Sequence, residues 1–559
     1  MAGTTPDIRQ FLEEAVARNV DQPFLIWQNE TQTYEEFNSR VDAAANLWWE
    51  VGVRKGDRVS FMVDNSPEFL HAWLGLAKLG AVLVAINTGF RLTEASYLVA
   101  HSESRFALVD SRYAELFAQV QQEVGSLQRT FSLGATEGFE DFRAYTAGLQ
   151  GPPPGVSLHG DDLVSLIYTS GTTGSPKGVM QTHQNYVRTG QAYPFWMGME
   201  KGDRIYACLP LFHINSQAYS TMGAIGAEGA LVLAPRFSAR RFWPDIREHG
   251  VAVFNFIGAM TVILSKSEPS DTDRDNLVRV AYGVPALPHD VRTSIEERFG
   301  LSCISGFGMS ETTFGLLEPM DTERRPGSMG IPRQHPDPSV PRTEARIVDS
   351  NGSDVPHRQI GELLLRNGAM MLGYFKDPER TEQALRDGWL YTGDSAWQDE
   401  DGYFYFVDRK KDIVRRRGEN VSSLEVENVL NGHSDVLESA VIGVPSDLTD
   451  EDLLAFVVPR PGHTVNAAEL VEWCASELAL FKLPRYVETV DALPKTPTAK
   501  IEKHLLRSGD YHVGHRVDLG VRSTAPQPAP LSEEPVARPL LHLKTHPQLQ
   551  QRPKGPSHD

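Results

Sequence analysis

An α/β fold, in which a large N-terminal domain of layered sheets and helices precedes a small α+β domain, is predicted by three features of the sequence. Apolar residues alternate between helical and strand spacing from about Tyr34 onward, the pattern of a largely parallel sheet flanked by helices. A chain of 559 residues is too long for a single core. After Ser422 the same alternation resumes over about a hundred residues, the usual size of one domain.

The elements follow in order. Between Tyr34 and Trp49 the residues Phe37, Val41, Ala44, Ala45, Leu47 and Trp48 recur at near-helical spacing, and Gly52 stops the helix. Arg58 to Val63 reads as a strand. A second such unit runs through Phe69 to Gly80 and then Ala81 to Ile86. Leu163 to Ile167 is a short apolar run of buried-strand length, and Val251 to Gly258 is a strand closed by glycine. Farther on, Ser422 and Glu425 have capping-box spacing and predict a helix stopping near Asn431-Gly432. Strands at Ala440–Val444 and Leu453–Val458 and a helix over Leu470–Leu480 complete the small domain.

Composition excludes several functions. With 41% hydrophobic and 23% charged residues the chain is ordinary globular protein. A net charge of −19 argues against nucleic-acid binding, and any polyanionic ligand would need a local basic patch. Cys208, Cys303 and Cys474 are too scattered for a metal cluster or a disulfide framework, which fits a reducing compartment. The N-terminus shows no signal-peptide pattern, and the apolar region from Phe69 to Ile86 is broken by His71 and Lys78, as in a core helix and not a membrane span. A cytoplasmic protein without integral membrane contact, monomeric or homodimeric, is expected.

Chemistry concentrates in Tyr168-Thr169-Ser170-Gly171-Thr172-Thr173-Gly174-Ser175-Pro176-Lys177-Gly178, directly after the strand Leu163–Ile167. Hydroxyls, glycines that admit close backbone approach and one lysine make an anion-binding segment. Pro176 before Lys177 and Gly178 after it rule out the common Gly-Lys-Ser/Thr phosphate loop. In Ser305-Gly306-Phe307-Gly308-Met309-Ser310-Glu311 the glycines let Phe307 lie against a purine, and Glu311 offers the hard oxygen Mg²⁺ prefers. Tyr391-Thr392-Gly393-Asp394 holds a carboxylate on a turn, suited to ribose hydroxyls. From Arg409 to Arg417 run Arg409, Lys410, Lys411, Arg415, Arg416 and Arg417 against the single acid Asp412. That reversal of charge is either a solvated face or a seat for a phosphate.

Taken together these segments resemble the adenylate-forming superfamily, which includes acyl-CoA synthetases, peptide-synthetase adenylation domains and firefly-type luciferases, over about residues 8 to 508. The resemblance implies a domain at 1–408, a hinge at 409–411 with Lys411 at its centre and a mobile domain at 412–512, while composition assigns 513–559 to a proline-punctuated disordered tail. The resemblance also implies ATP, Mg²⁺ and CoA as ligands, with a small carboxylic acid as substrate. Thr169, Ser170, Gly171, Thr172, Thr173, Gly174 and Lys177 would close over the phosphates. Gly283, Val284 and Pro285 would border the adenine beside Gly306, Phe307, Gly308, Met309 and Ser310, with Asp394 and Arg409 on the ribose and Glu311 and Thr169 toward the metal. His213 of Pro210-Leu211-Phe212-His213 would gate an acyl pocket that includes Phe256, Ile257, Gly283, Gly306 and Met309. Arg417, Gly418 and Glu419 would line the CoA tunnel, and Lys500 would bridge the carboxylate and the α-phosphate.

Val284, Phe307 and Ala499 depart from the residues usual in that family, which has a small residue, tyrosine and glycine there. The apolar or small residues around His213, Phe256, Gly283 and Gly306 imply a hydrophobic fatty, aryl or alicyclic acid. Transfer of the acyl group to an amine or a carrier-protein thiol is the alternative to CoA.

Overall fold

The computed structural model of the chain describes residues 6–169, 176–265, 267–284, 286–287, 289–320, 324–409, 413–446, 450–494, 501, 503–507 and 515–520. The helices form where the sequence caps them. Thr33 and Glu36 make a reciprocal capping box at the start of Tyr34–Glu50. Ser66 caps Pro67–Leu79, proline occupies its first turn, and Gly80 ends it at φ 68°. These two helices pack so closely that a Cβ on Gly75 would lie 2.8 Å from the Ala45 nitrogen. Lys78, on the second of them, is buried, and Asp42 at 2.6 Å neutralises it.

Two sheets sandwich this core. One has seven strands in which Arg58–Met62, Val82–Ala85, Phe106–Asp110 and Leu163–Thr169 run parallel, with Lys177–Thr182 antiparallel at its edge. The other has fourteen strands, and only half of it fits the parallel expectation. Arg204–Ala207, Ala230–Leu233, Val253–Ile257, Val280–Val284 and Ser302–Met309 are parallel. From Thr312–Leu317 through Ser328–Pro332, Phe404–Arg409, Trp389–Gln398 and Gly361–Arg366 every pairing is antiparallel. Short turns such as Ser310-Glu311 permit that change of direction, whereas parallel neighbours need long crossovers.

The smaller C-terminal domain holds the hairpin Ile413–Arg416/Glu419–Ser422 and a four-stranded sheet. His515–Asp518, which composition assigns to the tail, is a strand paired with Tyr486–Thr489 and tied by Arg516 to Glu488 at 3.0 Å. A four-residue strand beside a proline-rich stretch carries no readable periodicity, so the domain extends past residue 512. Among the described residues no helix is long and apolar enough to cross a membrane.

Helices His183–Trp196 and Met222–Gly226 touch backbone to backbone, since a Cβ on Gly226 would lie 1.9 Å from the Gly190 carbonyl oxygen. Gly226→Ala is therefore expected to cost about 1–3 kcal/mol through overpacking and to lower the apparent melting temperature by a few degrees in a thermal scan.

Candidate active site

The phosphate loop itself, Ser170, Gly171, Thr172, Thr173 and Gly174, lies outside the described residues, as do Pro285, Lys411 and Lys500. Its two stems are described and face each other, Thr169 opposite Lys177 across an antiparallel pair. The polar segment thus begins at a strand end, as the sequence predicts. Lys177 Nζ donates to Glu311 Oε1 at 2.7 Å and to the Tyr374 hydroxyl at 2.5 Å. That hydroxyl in turn donates to Glu311 Oε1 at 2.8 Å. Burial alone would raise the Glu311 carboxyl, but the Lys177 ammonium and the Tyr374 hydroxyl outweigh it and hold the carboxyl below its usual range. Glu311 reaches this position from the tight turn between Ser302–Met309 and Thr312–Leu317. A Cβ on Gly315 would fall 1.9 Å from the Phe307 carbonyl oxygen, so only glycine lets those strands close.

The same large sheet carries Phe307 and Asp394. Phe307 is nearly buried in the apolar cluster of Leu316, Met329 and Leu363. Asp394 is buried and sits directly opposite Arg409 in the register of neighbouring strands, so the two residues assigned to ribose are adjacent. Gly283 is on a fully covered strand whose end is Val284.

At the acyl side His213 precedes a π-helix, Asn215–Thr221, a geometry frequent at functional sites. His213 Nε2 is 2.7 Å from Glu419 Oε1, which comes from the C-terminal domain. Gly418 beside it has φ 84°, and a Cβ there would meet Ile257 Cδ1 at 2.7 Å. His213, Ile257, Gly418 and Glu419 are therefore brought together. Phe256 is not among them. Alternate side chains of a strand face opposite ways; Asn255 turns to Asn215 and Ser220, while Phe256 is buried with Phe254 and Met260 in a cluster that Ile257, at the strand end, also borders. A Cβ on Gly283 would strike the Phe256 ring at 2.3 Å, which makes this pair a packing contact.

Burial lowers the affinity of His213 for a proton, yet the Glu419 carboxylate outweighs it and the imidazole is raised above its ordinary value. The contact is accordingly strongest below the ordinary histidine range and weakens as pH rises through the raised value. Glu419→Gln is expected to move the His213 titration to lower pH, read by NMR of the imidazole protons.

Of the basic run, Arg415, Arg416 and Arg417 are described with their side chains, whereas Lys410 and Lys411 lie outside the described residues. Arg416 is buried and pairs with Asp452 at 3.2 Å, and Arg415 faces Asp450 at 4.0 Å. Asp450 also accepts from the Gly418 backbone N–H at 2.8 Å. These arginines tie the hairpin to Asp450 and Asp452 at the start of the strand Glu451–Pro459, and Arg417, at φ 51°, lies in the hairpin turn. Charge spacing alone says nothing about depth.

Sequence reasoning also passed over Tyr374 and an ion cluster that joins the domains. Lys482 reaches Glu94 at 2.5 Å and Glu425 at 2.8 Å, all three side chains largely buried. Burial raises the Glu94 carboxyl, while at Lys482 the two carboxylates prevail over burial and hold the ammonium above its usual value. The rings of Phe90 and Phe481 stack alongside at 6.3 Å.

Sequence comparison agrees with this geometry. The AMP-binding enzyme profile matches residues 12–375, and the AMP-binding enzyme C-terminal domain matches residues 425–500. The chain belongs to the AMP-binding enzyme family. A crotonobetaine/carnitine–CoA ligase of Salmonella arizonae is 33% identical over 518 residues, covering 89% of this chain and 98% of that protein. Among solved structures, an anthranilate CoA ligase in complex with anthranoyl-AMP is 27% identical, with a TM-score of 0.70 over 90% of this chain and 97% of that one. The o-succinylbenzoate CoA synthetase of Bacillus subtilis, bound with a product analogue, is 26% identical, with a TM-score of 0.79 over 90% and 98%. This AMP-binding enzyme thus has the large and small domains of the adenylate-forming acyl-CoA synthetases.

Proposed function

We propose that this AMP-binding enzyme is an ATP-dependent carboxylic acid:CoA ligase. A substrate carboxylate oxygen attacks the α-phosphorus of ATP and expels pyrophosphate. The thiol of CoA then attacks the acyl carbon of the adenylate and expels AMP. No covalent protein nucleophile is required, so catalysis rests on positioning and on donors aimed at developing negative charge.

The loop between Thr169 and Lys177 would bind the β- and γ-phosphates, and Lys177 must leave Glu311 and Tyr374 to reach them. Asp394 and Arg409 take the ribose, the Gly306–Ser310 strand and Val284 border the base, and Lys500 joins the carboxylate to the α-phosphate. The residues present fit Mg²⁺. Glu311 is an ionised hard-oxygen donor, and the buried Thr169 hydroxyl has no hydrogen-bond partner among the described residues. Bound there, Mg²⁺ supplies charge neutralisation to the phosphates.

The observation that carries the thioester half is the seat of Gly418 and Glu419 against Ile257 and His213. A glycine with positive φ there lets the C-terminal hairpin seat directly on Ile257, which brings the segment assigned to CoA beside the acyl side. The domain after the 409–411 hinge then turns about Lys411 between the two half-reactions, with 1–408 as its fixed partner.

Pyrophosphate release across a panel of carboxylic acids, with and without CoA, tests this. Release stimulated by CoA, with acyl-CoA formed, is the expected result. Product appearing only on addition of an amine or a holo-carrier protein would replace CoA as acceptor.

A further inference from the structure

Five cations are buried among the described residues, and four of them have a carboxylate. Lys78 pairs with Asp42, Arg292 with Glu318, Arg416 with Asp452 and Lys482 with Glu94. Arg333, 2% exposed, makes no ion pair among the described residues. Its Nη2 donates to the Tyr282 hydroxyl at 2.6 Å and to the Leu316 carbonyl at 3.1 Å. Its Nε and Nη1 are buried with no acceptor. The rings of Trp196, Tyr282 and Tyr219 surround the guanidinium at 4.7, 4.9 and 5.6 Å and offset only part of the cost of taking a charge out of water.

The position of this cation is informative. A Cβ on Gly306 would lie 2.9 Å from Arg333 Nη2, and one on Gly308 would lie 3.0 Å from the Tyr219 hydroxyl. Those two glycines floor the strand that leads to Glu311, and Tyr219 is on the π-helix that starts just after His213. A buried polar network adjoins Tyr219, with Asn255 donating to Asn215 and Ser220 at 3.0 Å and accepting from Tyr193 at 2.6 Å. These groups come from separate segments, and no one stretch of sequence reveals them.

We infer that Arg333 sets the acid specificity of this enzyme, and that the preferred substrate carries a second carboxylate at its far end, which takes the open Nε and Nη1 donors. The inference rests on the ligase reading above and adds the class of acid. An apolar or aromatic middle is compatible with Ile257 and the Tyr219 and Tyr282 rings; a plain fatty acid would leave the guanidinium unpaired.

The test uses the full chain with short and medium aliphatic diacids and benzene dicarboxylates, each beside the monoacid of the same skeleton. Pyrophosphate release should favour the best diacid over its monoacid by about 10²-fold in kcat/KM, the scale of a charge-assisted hydrogen bond lost from a buried site. In Arg333→Met the diacid should fall by about that factor while the monoacid holds or improves, and Arg333→Lys should keep part of the preference. Native preference for monoacids, or a ratio unchanged in Arg333→Met, would overturn the inference and leave Arg333 a packing residue. If no acid releases pyrophosphate, the ligase reading fails on its own. Calorimetric binding of diacid and monoacid to the native chain and to Arg333→Met still decides this one, with equal affinities overturning it. Should the methionine variant not fold, the native diacid-to-monoacid ratio and the lysine variant give the answer.

Discussion

Replacing Lys500 with alanine is expected to slow acyl-adenylate formation by about 10²–10³-fold, the scale for one preorganised contact to a charge that grows in the transition state. Thioester formation from preformed acyl-AMP should largely survive. The split follows from what each step does with charge. In the first, negative charge concentrates on the α-phosphate oxygens as pyrophosphate leaves, and an ammonium bridging them to the attacking carboxylate favours that state over the bound substrates. In the second, a thiol meets an already activated carbonyl at the mouth formed by His213, Ile257 and Gly418, where the structure places the C-terminal hairpin. Acid-dependent ATP–pyrophosphate exchange measures the first step, and conversion of synthetic acyl-AMP and CoA to thioester measures the second. Equal losses in both would remove Lys500 from the role proposed for it.

What the sequence made legible, and what it hid, divides along a physical line. Features written in contiguous residues were readable. The capping-box spacing of Ser422 and Glu425 at the start of the helix Ser423–Asn431, and the apolar run Leu163–Ile167 inside the strand Leu163–Thr169, are each specified within a few positions. Features made by meetings across the chain were not. Tyr374 stands in a Tyr-Phe-Lys-Asp-Pro stretch that reads as a turn and helix start, and only the fold brings its hydroxyl to Lys177, 197 residues away. Phe256 and Asn255 are one residue apart, yet strand parity packs the ring beside Phe254 and turns the amide to Asn215 and Ser220, an assignment that needs the register. Arg416 counts as one more charge in a basic run until Asp452 is seen beside it.

The two halves of the reaction also separate at Lys482, whose replacement by methionine is expected to depress thioester formation by about 10²-fold or more while sparing adenylation. Lys482 belongs to the C-terminal domain and Glu94 to the N-terminal one, and the ammonium between Glu94 and Glu425 is almost wholly buried. Removing one partner from such a cluster costs about 3–5 kcal/mol, because the remaining charges stay desolvated and here repel each other. The arrangement that seats Gly418 and Glu419 at the acyl mouth bears that cost. Other ties across this face among the described residues, such as the Thr93–Glu477 hydrogen bond at 3.1 Å, the Phe90–Phe481 stack and the His213–Glu419 pair, are too exposed or too weak to compensate fully. An arrangement in which the C-terminal domain has turned away for adenylation does not depend on the cluster, so exchange of pyrophosphate into ATP should persist. Adding Glu94→Gln to Lys482→Met should recover part of the thioester rate, since it removes one of the stranded carboxylates, and the pair should be non-additive in a double-mutant cycle. If Lys482→Met instead lowers both half-reactions together, or if Glu94→Gln makes it worse, the cluster serves overall folding and does not select between the two arrangements.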